Sequence, residues 1–294
     1  MQKKLRVGII GTGNIGTDLL MKVIKSNFLE CTMFIGRNLQ SKGMSKALTL
    51  NVPLSDKGID AVIENHDKFD LIFDSTTALS HLEHAPVFEK YNIIAIDMTP
   101  AKIGEFIVPA VNIEDIKSKK NINMITCGGQ SSIPIAYSIS QVVNDIEYIE
   151  IVSTISSKSA GPGTRANVDE YIETTEKALS LFTGCKNIKA IINLNPAIPS
   201  IDMQTTIYVK SKNPDIKKVK NAVNEMITKI KRYVPGYSLI TEPKYINGII
   251  MLTIKVQGAG DYLPKYAGNL DIINCAAIEV AEKIAKEFTT KGIN

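Results

Sequence analysis

No two of the four cysteines in this 294-residue sequence form a CxxC pair: Cys31, Cys127, Cys185 and Cys275 stand alone. Thiols spaced this way indicate neither a zinc site nor a disulfide framework, so no metal is expected and the thiols are expected to be reduced. No apolar run approaches the ~18 residues of a membrane span. The N-terminal "MQKKLRVGII" enters a strand pattern without the apolar h-region or cleavage site of a secretory leader. These absences point to a cytoplasmic protein. The net charge is only +4 and the lysines are spread along the chain, without the basic stripe that nucleic-acid binding requires.

What is present is an ordinary globular composition, 44% hydrophobic and 22% charged, able to bury a core. The runs 5–10, 31–36, 70–76, 92–97 and 121–126 read as buried strands, and 14–26, 58–66 and 79–90 as helices between them. Apolar strands alternating with helices predict a parallel sheet covered on both faces. After about residue 145 the strands lengthen and partly alternate (148–156, 188–195, 205–211, 248–258), with helices over 168–182 and 215–232. That pattern predicts an α+β domain, a mixed sheet with helices on one face. The stretch 270–288 repeats its apolar residues at three and four and reads as a helix.

"GTGNIG", Gly11 to Gly16, follows the first strand and opens a helix. In that context the glycines permit a tight turn, close approach of a pyrophosphate and close helix–strand packing, so a dinucleotide is expected there. The acidic residue usual about 20 positions on is missing. The second strand ends in Gly36-Arg37-Asn38. Arg37 is either a partner for a 2′-phosphate, which would let NADP be tolerated, or a solvated loop residue.

Cys127 stands at the end of the last strand of the first domain, in "MITCGGQSS". Ser131 or Ser132 is expected to cap a following helix, with Pro134 in its first turn. A thiol just before a helix N-terminus is expected to be favoured as thiolate, and the same N–H groups can hold an oxyanion. The other three cysteines lack polar company and read as buried or loop residues. A nucleotide site with a nucleophilic thiol implies aldehyde oxidation through a thioester. His66, His81 and His84 all precede the thiol, so the second domain offers no histidine to pair with it.

"TCGGQSSIPIAYSIS", "SSKSAGPGTRANVDEY" and "YLPKYAGNLDI", taken with "GTGNIG", closely resemble the acylating acetaldehyde dehydrogenases that partner 4-hydroxy-2-oxovalerate aldolase in aromatic catabolism. The resemblance runs over nearly the whole chain. It implies conversion of acetaldehyde, NAD and coenzyme A to acetyl-CoA and NADH, with coenzyme A as co-substrate, a homodimer and a complex with the aldolase. It also implies a Rossmann domain (1–126) and a catalytic and dimerisation domain (127–269) of the glyceraldehyde-3-phosphate dehydrogenase type, with a C-terminal helix (270–294) packing back on the first domain. Carried over by motif, Cys127 is the nucleophile, and Thr12, Gly13, Asn14 and Ile15 line the dinucleotide. Ser159, Ala160, Gly161, Pro162, Gly163, Thr164, Arg165, Ala166, Asn167 and Asn269 belong to the cofactor site. Arg165 is one of only four arginines against 30 lysines, which marks a geometric role, and Asn167 with Glu170 reads as a capping box. Where the family often carries an aspartate suspected of assisting the thiol, this chain has Thr205; either Asp202, three residues earlier, takes that role, or the helix N-terminus suffices without a carboxylate.

Two alternatives remain open at this level. Another Cys-dependent semialdehyde or acyl-phosphate reductase would need several cations near the thiol, and the sequence offers chiefly Arg165. A non-catalytic NAD-binding scaffold would have no use for an intact "CGGQ".

Overall fold

The computed structural model describes residues 4–116 and 119–290. The chain divides into two compact units: the described residues of Met1–Ile107, Asn112–Met124 and Asn274–Asn294 form one, and Val108–Val111 with Ile125–Ile273 form the other.

In chain order the first unit begins β1 (Leu5–Ile10), α1 (Asn14–Lys25), β2 (Leu29–Ile35), α2 (Lys42–Thr49), β3 (Leu54–Ser55) and α3 (Ile59–Glu64). It continues β4 (Leu71–Asp74), α4 (Ala78–Lys90), β5 (Ile94–Asp97) and β6 (Glu105–Phe106); the short α5 (Pro109–Asn112) then precedes β7 (Asn121–Asn123). The strands form one sheet in the order β3-β2-β1-β4-β5-β7-β6 with every pairing parallel. Strands covered on both faces are mostly apolar, as β1, β4 and β5 are apart from Arg6 and the strand-end carboxylates Asp74 and Asp97. The order reverses direction between β1 and β4, which opens a crevice beyond the carboxyl end of β1. Residues of α10 (Gly268–Thr290) from Asn274 onward belong to this unit: Ser26 Oγ donates to Glu282 at 2.6 Å and Asn274 Nδ2 to Asp18 at 2.9 Å. Residues 291–294 of the expected C-terminal helix lie outside the described residues.

The second unit comprises α6 (Cys127–Ser140), β8 (Tyr148–Ser156), α7 (Pro162–Ala166), α8 (Val168–Thr183), β9 (Ile188–Asn195) and β10 (Met203–Lys210), then α9 (Ile216–Ile230), β11 (Tyr237–Ile246) and β12 (Ile249–Val256). Its sheet, β11-β12-β10-β8-β9, is mixed: β8 and β9 are parallel and the other pairs antiparallel. Along β10, Met203, Thr205, Ile207 and Val209 are buried while Gln204, Thr206 and Tyr208 are half-buried and Lys210 is exposed. That period of two is the signature of a sheet covered on one face. Helices α8, α6 and α9 form that cover, with α6 over the central strands β8 and β10. Among the described residues no helix is long and apolar enough to cross a membrane.

Besides short elements of two to five residues, one helix and one strand were not expected. Helix α2 was not expected, because Gly43 and scattered polar residues obscure its period. Gly43 is there for space, since a Cβ would lie 2.3 Å from the Thr12 carbonyl oxygen. Edge strand β11 was also missed: Pro243 and two register shifts, between Leu239 and Thr241 and between Thr241 and Lys244, break its alternation.

Candidate active site

In the first unit the glycine loop sits at the switch between β1 and β4. Gly11 has φ 106°, a left-handed conformation that side chains resist. A Cβ at Gly16 would fall 1.8 Å from the Gly11 carbonyl oxygen, so only glycine lets α1 begin this close to the turn. Ser75, at the end of β4, fixes the loop by donating to the carbonyls of Ile10 and Gly11, each at 3.0 Å. Gly13 caps α1 without a side-chain hydrogen bond, and a Cβ there would meet nothing within 4 Å. The first amides of a 12-residue helix thus face open space, as a pyrophosphate needs. Thr12 packs against Gly36 and its hydroxyl lies 3.1 Å from Ser41 Oγ, the N-cap of α2. Asn14 and Ile15 form the first turn of α1. Arg37 is exposed and, among the described residues, no carboxylate pairs with it.

Cys127 belongs to the second unit, and its setting corrects the sequence reading. Strand β7 stops at Asn123, not residue 126, because Ile125 takes φ 66° and turns the chain. A β-branched residue in that region is strained by on the order of 1–3 kcal/mol. The cap of α6 is Thr126, whose Oγ1 accepts from the Gly129 amide at 2.9 Å, rather than Ser131 or Ser132. Cys127 is therefore the first residue of the helix, and Pro134 lies inside it. Thr126 Oγ1 is itself braced by Thr175 Oγ1 of α8 at 2.7 Å.

The residue is half-buried, and burial of the thiol pushes it up to about 11; the Gly128 amide, the Tyr171 hydroxyl and its own amide oppose that rise. Burial wins over the helix terminus, so the resting group is a thiol and not the thiolate expected from position alone. Gly128 is glycine because Tyr171 stands where its side chain would be: a Cβ would lie 1.9 Å from the Tyr171 hydroxyl. Ser153, Thr205 and Ser131 complete a buried hydroxyl cluster, with Thr205 Oγ1 at 3.1 Å from Ser153 and 3.0 Å from Ser131. Neither Tyr171 nor this cluster was singled out from the sequence. Tyr171 reads there as one apolar position of an amphipathic helix.

Asp202 does not join this cluster. It stands just before β10, and its carboxylate accepts from Gln257 Nε2 at 3.2 Å and lies 4.0 Å from Lys255 Nζ. The groups around Thr205 are neutral hydroxyls, and Asp202 is not among them.

Residues 159–167 are not simply a loop. Ser159 and Ala160 are buried, Ser159 Oγ donating to the Ser156 carbonyl. Gly161 then caps the one-turn helix α7, with Pro162 in its first turn. A Cβ at Gly161 or Gly163 would meet nothing within 4 Å, so both leave open space beside the backbone of Thr164 and its neighbours. Arg165 folds back, donating to the carbonyls of Ala160 and Ser157, each at 3.1 Å. Ala166 ends α7. Asn167 is not a side-chain cap: its Nδ2 donates back to the Gly163 carbonyl, so the expected capping box with Glu170 does not form. Asn269, 1% exposed at the start of α10, has both side-chain oxygen and nitrogen buried without a partner. Buried amide atoms without a partner are uncommon in folded proteins.

Comparison with known proteins fits this constellation. Residues 127–264 match the family model described as "Prokaryotic acetaldehyde dehydrogenase, dimerisation". Over 287 residues the chain is 56% identical to an acetaldehyde dehydrogenase of Pectobacterium atrosepticum, covering 97% of each chain. Against that of Spirochaeta aurantia identity is 54%, covering 97% of this chain and 96% of the relative. Against that of Carboxydothermus hydrogenoformans it is 47%, covering 98% and 96%. With its glycine loop, its helix-capped thiol and this likeness along nearly the whole length, the chain belongs to the acetaldehyde dehydrogenase family.

Proposed function

We propose that the protein is a CoA-acylating aldehyde dehydrogenase converting acetaldehyde, NAD and coenzyme A to acetyl-CoA and NADH through a thioester on Cys127. The observation that carries the reading is Cys127 as first residue of α6, with the Gly128 and Cys127 amides and the Tyr171 hydroxyl acting on its sulfur. The residues present fit a dinucleotide. Within the first unit, the uncapped start of α1 with open space at Gly13 suits the pyrophosphate. When bound, NAD supplies the hydride acceptor.

The chain's own part begins when the Cys127 sulfur, deprotonated, adds to the aldehyde carbon. Negative charge passes from sulfur to the former carbonyl oxygen, where the first-turn amides of α6 can follow it. The Gly129 amide is committed to Thr126, leaving those of Cys127 and Gly128 for the task. Loss of hydride from that carbon leaves an acyl thioester on Cys127, and attack by the thiol of coenzyme A transfers the acyl group and returns Cys127. The match to a dimerisation model supports a homodimer built on the second unit. An aldolase that releases acetaldehyde is the fitting partner, since direct transfer would limit loss of a volatile, reactive aldehyde. NADH absorbance with acetaldehyde, with and without coenzyme A, tests the reading: sustained turnover is expected only when coenzyme A is present.

A further inference from the structure

The Tyr171 side chain is 7% exposed, and its hydroxyl is sealed without a hydrogen bond of ordinary geometry. A buried hydroxyl left unpaired destabilises a fold, and phenylalanine would fill the same space without that penalty. The hydroxyl's position explains its presence. It lies over the first turn of α6, where a Cβ on Gly128 would come 1.9 Å from its oxygen and 3.3 Å from Ser153 Oγ.

The donors around it have a fixed direction. Ser131 Oγ donates its proton to the Gly128 carbonyl at 2.9 Å, so toward Thr205 it can only accept. Thr205 then donates to Ser131 and accepts from Ser153. Ser153, its own proton committed, turns lone pairs toward Tyr171. The one uncommitted proton in this array is that of Tyr171, with Ser153 on one side and the Cys127 sulfur on the other.

We propose that Tyr171 is the positioning residue of the nucleophile, its O–H turning from Ser153 to the Cys127 sulfur as the thiolate forms, holding and aiming the charge. This rests on the reading of Cys127 as nucleophile. The thiol proton is released to solvent as the thiolate forms. Tyr171 keeps its own proton throughout, since burial raises its hydroxyl well above the ordinary range. The groups that act on the sulfur are the Cys127 and Gly128 amides of α6 and the Tyr171 hydroxyl of α8; from β8 and β10 come only the neutral hydroxyls of Ser153 and Thr205.

The test is the rate of Cys127 alkylation by iodoacetamide against pH, located by mass on the peptide carrying Cys127, in wild type, Tyr171→Phe and Ser153→Ala. Tyr171→Phe is expected to move the midpoint up by about one pH unit, slowing alkylation about tenfold below it, with an unchanged or higher unfolding temperature. Ser153→Ala, which removes the competing acceptor, is expected to alkylate at least as fast as wild type. An unshifted midpoint in Tyr171→Phe, or slower alkylation in Ser153→Ala, overturns the proposal. These measurements use neither aldehyde nor coenzyme A, so they can fail independently of the proposed reaction, which Cys127→Ser turnover tests.

Discussion

The Tyr171 hydroxyl and Gly128 share one place: a Cβ on residue 128 would lie 1.9 Å from that oxygen and 2.9 Å from the Tyr171 Cζ. Glycine follows Cys127 because α8 reaches into the first turn of α6, and the same approach brings a hydroxyl to the sulfur. We predict that Gly128→Ala destabilises the protein by about 1–3 kcal/mol through overpacking and lowers activity more than that loss explains. Adding Tyr171→Phe should recover part of the stability, because the nearest clashing atom is gone. Urea unfolding of the two variants and their double mutant checks this.

A buried network in the first unit sets the pH dependence of stability. Asp74 accepts from Nδ1 of His81 at 2.9 Å and of His84 at 2.8 Å, while Asp97 accepts from Asn123 Nδ2 and the Thr99 amide, both at 2.7 Å. Burial lifts Asp97 from 3.8 to about 7, against the pull of His81. Burial would lower His81, but its bond to Asp74 and the nearby Asp97 raise it above 6.5. Both groups hold protons more tightly folded than unfolded. The stability Asp97 contributes is full below 3.8 and lost as pH rises through about 7, and that of His81 is full below 6.5 and lost as pH rises through its raised value. Asp74 works the other way: burial would raise it, but its two histidines bring it to about 2, so its contribution is present above 3.8 and lost as pH falls toward 2. Unfolding free energy should therefore fall between about pH 4 and 7, by on the order of a few kcal/mol. Asp97→Asn, which mimics the protonated form, should flatten that slope; urea titrations across the range provide the measurement.

Cofactor choice turns on the end of β2. A carboxylate there would repel a 2′-phosphate, but Gly36-Arg37-Asn38 offers an exposed guanidinium instead. Such a partly exposed contact is worth about 1 kcal/mol, enough to narrow a preference several-fold without reversing it. NAD is expected to be favoured, with NADP turnover that weakens as salt rises. In Arg37→Ala the ratio of kcat/KM for NAD to that for NADP should rise several-fold. An unchanged ratio would make Arg37 a loop residue only.

Much of this was legible from local pattern. The strands 5–10, 148–156 and 188–195 and the loop at Gly11 to Gly16 are written in short-range apolar runs and glycine spacing, which tertiary packing did not override. The start of α6 was misplaced because its true cap, Thr126, closes an apolar run that reads as strand, and only the φ of Ile125 breaks it. The setting of the thiol was harder still. Tyr171, Ser153 and Thr205 lie 44, 26 and 78 residues from Cys127 along the chain and meet only through the packing of α8, β8 and β10. Asp202 looked suited to the thiol because it is a carboxylate close in sequence to the right strand, but it stands just before β10 and its carboxylate is taken up by Gln257.

The acyl-enzyme itself tests the account most directly. The protein is mixed with acetaldehyde and NAD without coenzyme A, then the mass of the peptide carrying Cys127 and the NADH formed are measured together. The account predicts one NADH per active site, one acetyl group on that peptide, and its discharge as acetyl-CoA when coenzyme A is added. Cys127→Ser should show neither signal, with turnover reduced on the order of a thousandfold or more. Steady NADH production without coenzyme A and an unmodified Cys127 peptide, or near-normal turnover in Cys127→Ser, would contradict it.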